Sequence, residues 1–170
     1  TPGHAPPPPG GHGRGCPQQQ FDCIAKRFYY LCGMDTTRTP KITIRAARRE
    51  DAAHIARVVC MAVGFDTSHP IYHVFLTLAA SDNSQYSYRN TLVAEVDGAV
   101  AGALVGYDGA RLMELREPIF PLLLEHLGDV PHIEDETSSG EFYLDSLGVF
   151  PPFRGMGVGS ALLNAMSERA

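Results

Sequence analysis

No apolar run in this chain is long enough to cross a bilayer, so no membrane anchoring is expected. Cys16, Cys23, Cys32 and Cys60 show no CxxC spacing. Neither a zinc ribbon nor a disulfide framework is signalled; unpaired cytoplasmic thiols and no metal are the expectation. No internal repeat occurs. An excess of positive charge is also missing where it would matter. Residues 1–49 carry eight Lys/Arg against two acids, whereas residues 50–170 carry six against seventeen. That balance argues against non-specific nucleic-acid binding and favours a cationic substrate.

What is present divides by composition. Residues 1–40 form a Pro/Gly-rich tail opening TPGHAPPPPGGHGRGCPQQQ, too poor in apolar surface to fold alone, and disorder is expected there. Phe21–Cys32 is broken by Asp22, Lys26 and Arg27, which makes it a poor signal-peptide core. Met34, followed by DTTRTP, reads as a natural beginning. The residues before it either precede the true start or form a disordered arm. Residues 41–170 have the ordinary composition of one folded domain.

Within that domain one stretch organises the rest: EFYLDSLGVFPPFRGMGVGSALLNAMSERA, residues 141–170. Period-2 alternation predicts a strand over 141–150, with Phe142 and Leu144 on one face and Tyr143, Asp145, Leu147 and Val149 on the other. Pro151 and Pro152 end it. Gly155, Gly157 and Gly159 follow, then apolar residues at helical spacing, Ala161, Leu162, Ala165 and Met166. A glycine-rich turn that opens a helix offers unpaired amides and a positive dipole end, a place for a phosphate. No GxxxxGK[ST] is present, and the spacing misses GxGxxG, so neither a P-loop nor a dinucleotide fold is indicated.

The run Leu147-x-Val149-x-Pro151-x-x-Arg154-Gly155-x-Gly157-Val158-Gly159-x-x-Leu162-Leu163 resembles motif A of the GCN5-related N-acetyltransferase (GNAT) family. IRAARREDAAHIARVV, residues 44–59, resembles that family's opening strand and helix. The resemblance implies an α/β fold with a mixed, mostly antiparallel sheet flanked by helices. It also implies acetyl-CoA as cosubstrate, with an amine on a small molecule or peptide as acceptor. Leu147, Gly148 and Val149, at a bulge in the strand, would supply main-chain groups to the pantetheine arm and thioester. Arg154, Gly155, Met156, Gly157, Val158, Gly159 and Ser160 would supply amides to the pyrophosphate. Full-length relatives continue past the helix reached at Ala170, so residues 41–170 are expected to be a partial domain lacking the C-terminal strands. The general acid would then lie beyond Ala170.

The rest of the domain fits that order. Ile42–Arg45 reads as a strand, and Glu50-Asp51 open a helix through Val63 with Ile55, Val58, Val59 and Ala62 inward. Ser68 is the expected cap of a second helix begun by Pro70, with Ile71, Val74, Phe75 and Leu78 inward. His54 and His73 are expected to be surface or satisfied residues. Thr91–Val96 and Ala99–Tyr107 form a hairpin around Asp97-Gly98, a type I′ signal, and both arms are apolar enough for a sheet covered on both faces. Residues 109–140 then depart from the family as an insertion, helical over Arg111–Leu127 and broken at Pro118 and Pro121. It reads either as a helix packed on the domain or on a second copy in a homodimer, or as a lid over the substrate.

For the base that frees the amine, Asp145 is the first choice and Glu141 the reserve. Tyr143 occupies a position where some relatives carry a glutamate, but a phenol titrating near ~10 is a poor base. The resemblance also makes the loop Gly64–His69, together with Tyr86 and Tyr88, a candidate lining of the acceptor site. The function expected is an acetyl-CoA-dependent N-acetyltransferase. The alternatives are a non-catalytic acyl-CoA-binding or dimerisation module, and a nucleotide-phosphate binder of unrelated fold.

Overall fold

The computed structural model describes residues 39–170. Residues 1–38 of the tail, with Met34 and three of the four cysteines, lie outside the described residues. Pro40–Ala170 forms one compact unit.

Its frame is a four-stranded sheet in the order β1 (Ile42–Ala46), β2 (Thr91–Val96), β3 (Ala99–Asp108), β4 (Phe142–Val149). Every pairing is antiparallel. Asp97 and Gly98 both take positive φ, 49° and 85°, which is the type I′ geometry that joins β2 to β3. The two central strands, β2 and β3, are buried on both faces, so they read as apolar runs rather than alternating ones. Val93, Ala103 and Val105 point to a core built with α1 (Ala52–Val63) and α2 (Ile71–Ala80). Leu92, Ala94, Ala101 and Leu104 point to the other side, where Val158, Leu162 and Met166 of α5 (Val158–Arg169) meet them.

Local chemistry departs from the sequence reading in three places. Ser68 does not cap α2: its hydroxyl and amide both go to Asp66 Oδ1, and the Ile71 amide is taken by His69 Nδ1 at 3.2 Å. Ala62 faces solvent, and Ala56 and Cys60 complete the buried stripe of α1 instead. Pro118 separates α3 (Leu112–Arg116) from α4 (Ile119–Leu127), but Pro121 sits inside α4. It is the third residue of that helix, where the amide that proline lacks would have had no partner.

The segment between β3 and β4 is anchored at both ends. Asp108 pairs with Phe142, and the Gly109 amide donates to the Glu141 carbonyl at 2.8 Å. Ile119 and Leu123 of α4 join the core shared with α1 and α2.

Candidate active site

Strand β4 carries one residue more than β3 opposite it. Ser146 pairs with Val105 and Leu144 with Gly106, which leaves Asp145 as the extra residue of a β-bulge. The bulge breaks the expected alternation. Tyr143 lies opposite Tyr107 and shares its face, whereas Leu147 lies opposite Leu104 and shares the face of α5. Tyr143 and Asp145 therefore do not share a face with Leu147 and Val149. Period-2 reasoning cannot register an inserted residue, and past the bulge every assignment reverses. The bulge also lies at Asp145, two residues before the expected segment.

Beyond the bulge, β4 presents its backbone to an open side. The Phe150 amide bonds back to Ala101 O at 2.8 Å, so in an antiparallel strand the amides of Leu147 and Val149 point away from β3. Gly148 lets α1 come close: a Cβ there would lie 3.0 Å from Val58 Cγ1. The chain then turns through Pro151–Phe153 into the glycine loop. Arg154 Nε donates to Val149 O at 3.1 Å and ties the loop to the strand. Gly155 and Gly157 hold φ of 77° and 85°, which L side chains rarely adopt.

Gly157 caps α5 with no side chain to offer, so the opening amides, those of Val158, Gly159 and Ser160, have no partner within the helix. A Cβ on Gly159 would meet only Val149 Cγ2, at 3.8 Å. The fold itself thus leaves that space unfilled. A row of unpaired donors at a positive helix end suits the pyrophosphate of a coenzyme.

On the other face of β4, Asp145 accepts a 2.6 Å hydrogen bond from the Ser146 hydroxyl. Burial pushes its carboxyl up to about 6, with nearby Glu136 adding to the rise and Ser146, Gln85 and Arg116 opposing it. Tyr143 is pushed up to about 12, first by burial and then by Glu136, which keeps it a neutral phenol. Its ring meets that of Tyr107 edge-on at 5.7 Å. Glu141 is not free to act: its Oε2 accepts from the Thr137 hydroxyl and the Ser138 amide, both at 3.0 Å, and these bonds hold it below its ordinary value.

Of the two tyrosines expected at the acceptor side, Tyr86 is in the cluster, buried and sensing Asp145. Tyr88 is elsewhere, its hydroxyl on Asp82 and its ring under Arg49 and Arg89. In the loop 64–69, Phe65 and His69 stack at 4.2 Å.

Four participants went unread in the sequence. Gln85, Tyr107, Arg116 and Glu136 come from separate segments and have no motif in common. Gln85 Oε1, Tyr107 Oη and Arg116 Nε are buried without a hydrogen-bond partner among the described residues. His54, expected to be a surface or satisfied residue, instead has a buried Nδ1 without a hydrogen-bond partner among the described residues, and its ring lies 6.1 Å from that of Phe150.

The fold has counterparts. Residues 60–170 match the Acetyltransferase (GNAT) family. A solved acetyltransferase shares 36% identity and a TM-score of 0.64, over 75% of this chain and 74% of its own. The chain belongs to the GNAT acetyltransferase family. The N-acetyltransferase from Staphylococcus aureus Mu50 has the same fold, with a TM-score of 0.66 and 24% identity over 75% of this chain and 76% of its own. No curated protein matches the chain. As a GNAT enzyme it is an N-acetyltransferase, and its chemistry is acetyl transfer. Among the described residues no helix is long and apolar enough to cross a membrane.

Proposed function

We propose that this GNAT enzyme moves the acetyl group of acetyl-CoA to an amine, with Asp145 as the base. The observation that carries the reading is the conjunction at β4. Unpaired amides open α5 where the strand ends, outward amides line its open side, and a bulge turns a carboxylate onto the opposite face. The residues fit the coenzyme: Arg154 to Ser160 would hold its pyrophosphate through main-chain donors, and Leu147 to Val149 its pantetheine arm. Acetyl-CoA supplies the activated thioester.

The chain's own groups do the rest. Asp145, mostly ionised above pH of about 6, takes the proton of the attacking nitrogen, directly or through a water. The outward amide of Leu147 or Val149 donates to the carbonyl oxygen as it gains charge. Glu141 is reserved for loop structure, and Tyr143 for binding. A cytoplasmic setting belongs to this reading.

The loop is tested by Gly159→Val. Calorimetric titration should show CoA affinity falling about tenfold or more, through steric exclusion worth ~1.4 kcal/mol or above. The thermal midpoint should hold, because the protein leaves that space open. Undiminished CoA binding would reject the loop as the coenzyme site.

A further inference from the structure

The acidic domain has few cations to spare. Of the six Lys/Arg between residues 50 and 170, Arg89, Arg111 and Arg116 are held by Asp82, Glu114 and Asp135. Arg169, at the far end of α5 from the glycine loop, donates to the Arg89 carbonyl at 2.6 Å. That leaves Arg57 and Arg154, neither of which forms an ion pair among the described residues.

Both stand at the end of β4. Arg154 Nε donates to Val149 O at 3.1 Å, and the Arg57 guanidinium lies 4.5 Å from the ring centre of Phe150, the next residue. His54, one turn earlier on α1, brings its ring to 6.1 Å from the same ring. Val149 packs toward α5 and Phe150 toward α1, so the two cations flank the end of the strand, one on each face of the sheet. The space left open at Gly159 borders the same Val149, at 3.8 Å.

An aromatic face positions a guanidinium without cancelling its charge. Arg57 is exposed and donates no hydrogen bond among the described residues, so its whole fork of N–H groups remains for a ligand. The planar fork matches a phosphate. A surface this acidic repels a polyanion, and admitting one calls for cations at the point of entry. Resting on the acetyl-CoA reading above, we propose that Arg57 is a coenzyme-binding residue: its guanidinium meets a phosphate group of CoA on the α1 side of β4, across the strand's end from the glycine loop.

The two arginines then divide the work. Arg154 is tied to Val149 O and fixes the loop to the strand, whereas Arg57 is held only by a ring and keeps its donors for the ligand. An arginine can also lie on a ring simply to cover it, and then its stem matters rather than its charge. Substitution separates the two roles. Methionine keeps an apolar stem over Phe150 and loses the charge; lysine keeps the charge.

The test is calorimetric titration of CoA into the full chain and its variants. Arg57→Met should weaken binding about tenfold, the worth of one hydrogen bond to a charged group. That deficit should shrink as NaCl rises from ~50 mM to ~1 M, because an exposed charge is screened. Arg57→Lys should recover part of it, and Arg111→Gln, a loss of the same charge elsewhere, should bind as the parent does. Dephospho-CoA, which lacks the ribose phosphate, separates the two sources of phosphate. A deficit that persists with it places Arg57 on the pyrophosphate, one that vanishes places it on the ribose phosphate, and both support the proposal. Unchanged affinity in Arg57→Met overturns it. So does a deficit that salt leaves untouched or that Arg57→Lys repeats in full, which would mark packing, or one that Arg111→Gln shares, which would mark net charge. A parent chain that fails to bind CoA rejects the acetyl-CoA reading instead, whereas a parent that binds it no better than Arg57→Met rejects only the role of Arg57.

Discussion

Asp145 holds its proton to an unusually high pH because the bulge sets it among buried aromatic rings with Glu136 close by. The sign of its contribution follows. From the ordinary value of 3.8 up to about 6, the folded chain binds more protons than the unfolded one. Stability therefore falls as pH rises through that window, and the cost stays constant above it. Asp145→Asn should be more stable than the parent at pH 8 by ~1–3 kcal/mol in urea titrations, with no gain at pH 3. The same variant should lose ~100-fold or more in kcat, together with the rise of rate through pH 6. A variant as active as the parent, with its acid limb intact, would remove Asp145 as the base.

At the scale of elements, β1, β2 and α1 are joined by a compact ionic node. Arg45 donates to both oxygens of Asp51, at 2.7 and 2.9 Å, and through Nε to Glu95 at 2.6 Å. Asp51 is buried and also accepts the Arg48 amide at 2.7 Å. The Arg45 bonds come first among the causes that hold its carboxyl below the ordinary value. This group has the opposite linkage to Asp145: its stabilisation is present above pH 3.8 and is lost as pH falls below that. Asp51→Asn should cost ~2–4 kcal/mol at neutral pH by denaturant unfolding, since one partner of a largely buried pair is removed. The deficit should shrink toward pH 2; a pH-independent loss would mean that packing rather than charge was disturbed.

The elements also show what a sequence can disclose. The hairpin was legible because Asp97-Gly98 must take positive φ, and the loop because Gly155 and Gly157 have few other uses in a strand-to-helix turn. Both signals are local. The bulge was not legible, since an extra residue exists only relative to the strand opposite. The cluster around Asp145 was invisible for a similar reason: Gln85, Tyr107, Arg116 and Glu136 become neighbours only when β3 and β4 pair and the segment between them folds back.

Over the whole molecule the two faces of the sheet are covered unequally. α1, α2 and α4 share one face, while α5 is the helix against the other among the described residues. The helix whose first turn is proposed to receive the coenzyme therefore also closes half of the core. Met166, fully buried there, couples the two roles. Met166→Ala should cost ~2–5 kcal/mol in thermal or denaturant unfolding. CoA affinity should weaken with it, because the unpaired amides shift as the helix settles into the cavity. A variant with full stability would show that α5 is not what seals that face.

The pairing of Asp108 with Phe142, reinforced by the bond from Gly109 to Glu141, has a consequence for inheritance. The strands meet at the points where the intervening segment leaves and returns, so its length places no demand on their register. A lineage could lengthen, shorten or exchange the part of that excursion outside α4, whose Ile119 and Leu123 are built into the core, and keep the bulge, the strand and the glycine loop in working order. The excursion and the machinery of transfer would then descend independently, the first changing quickly while the second stays put.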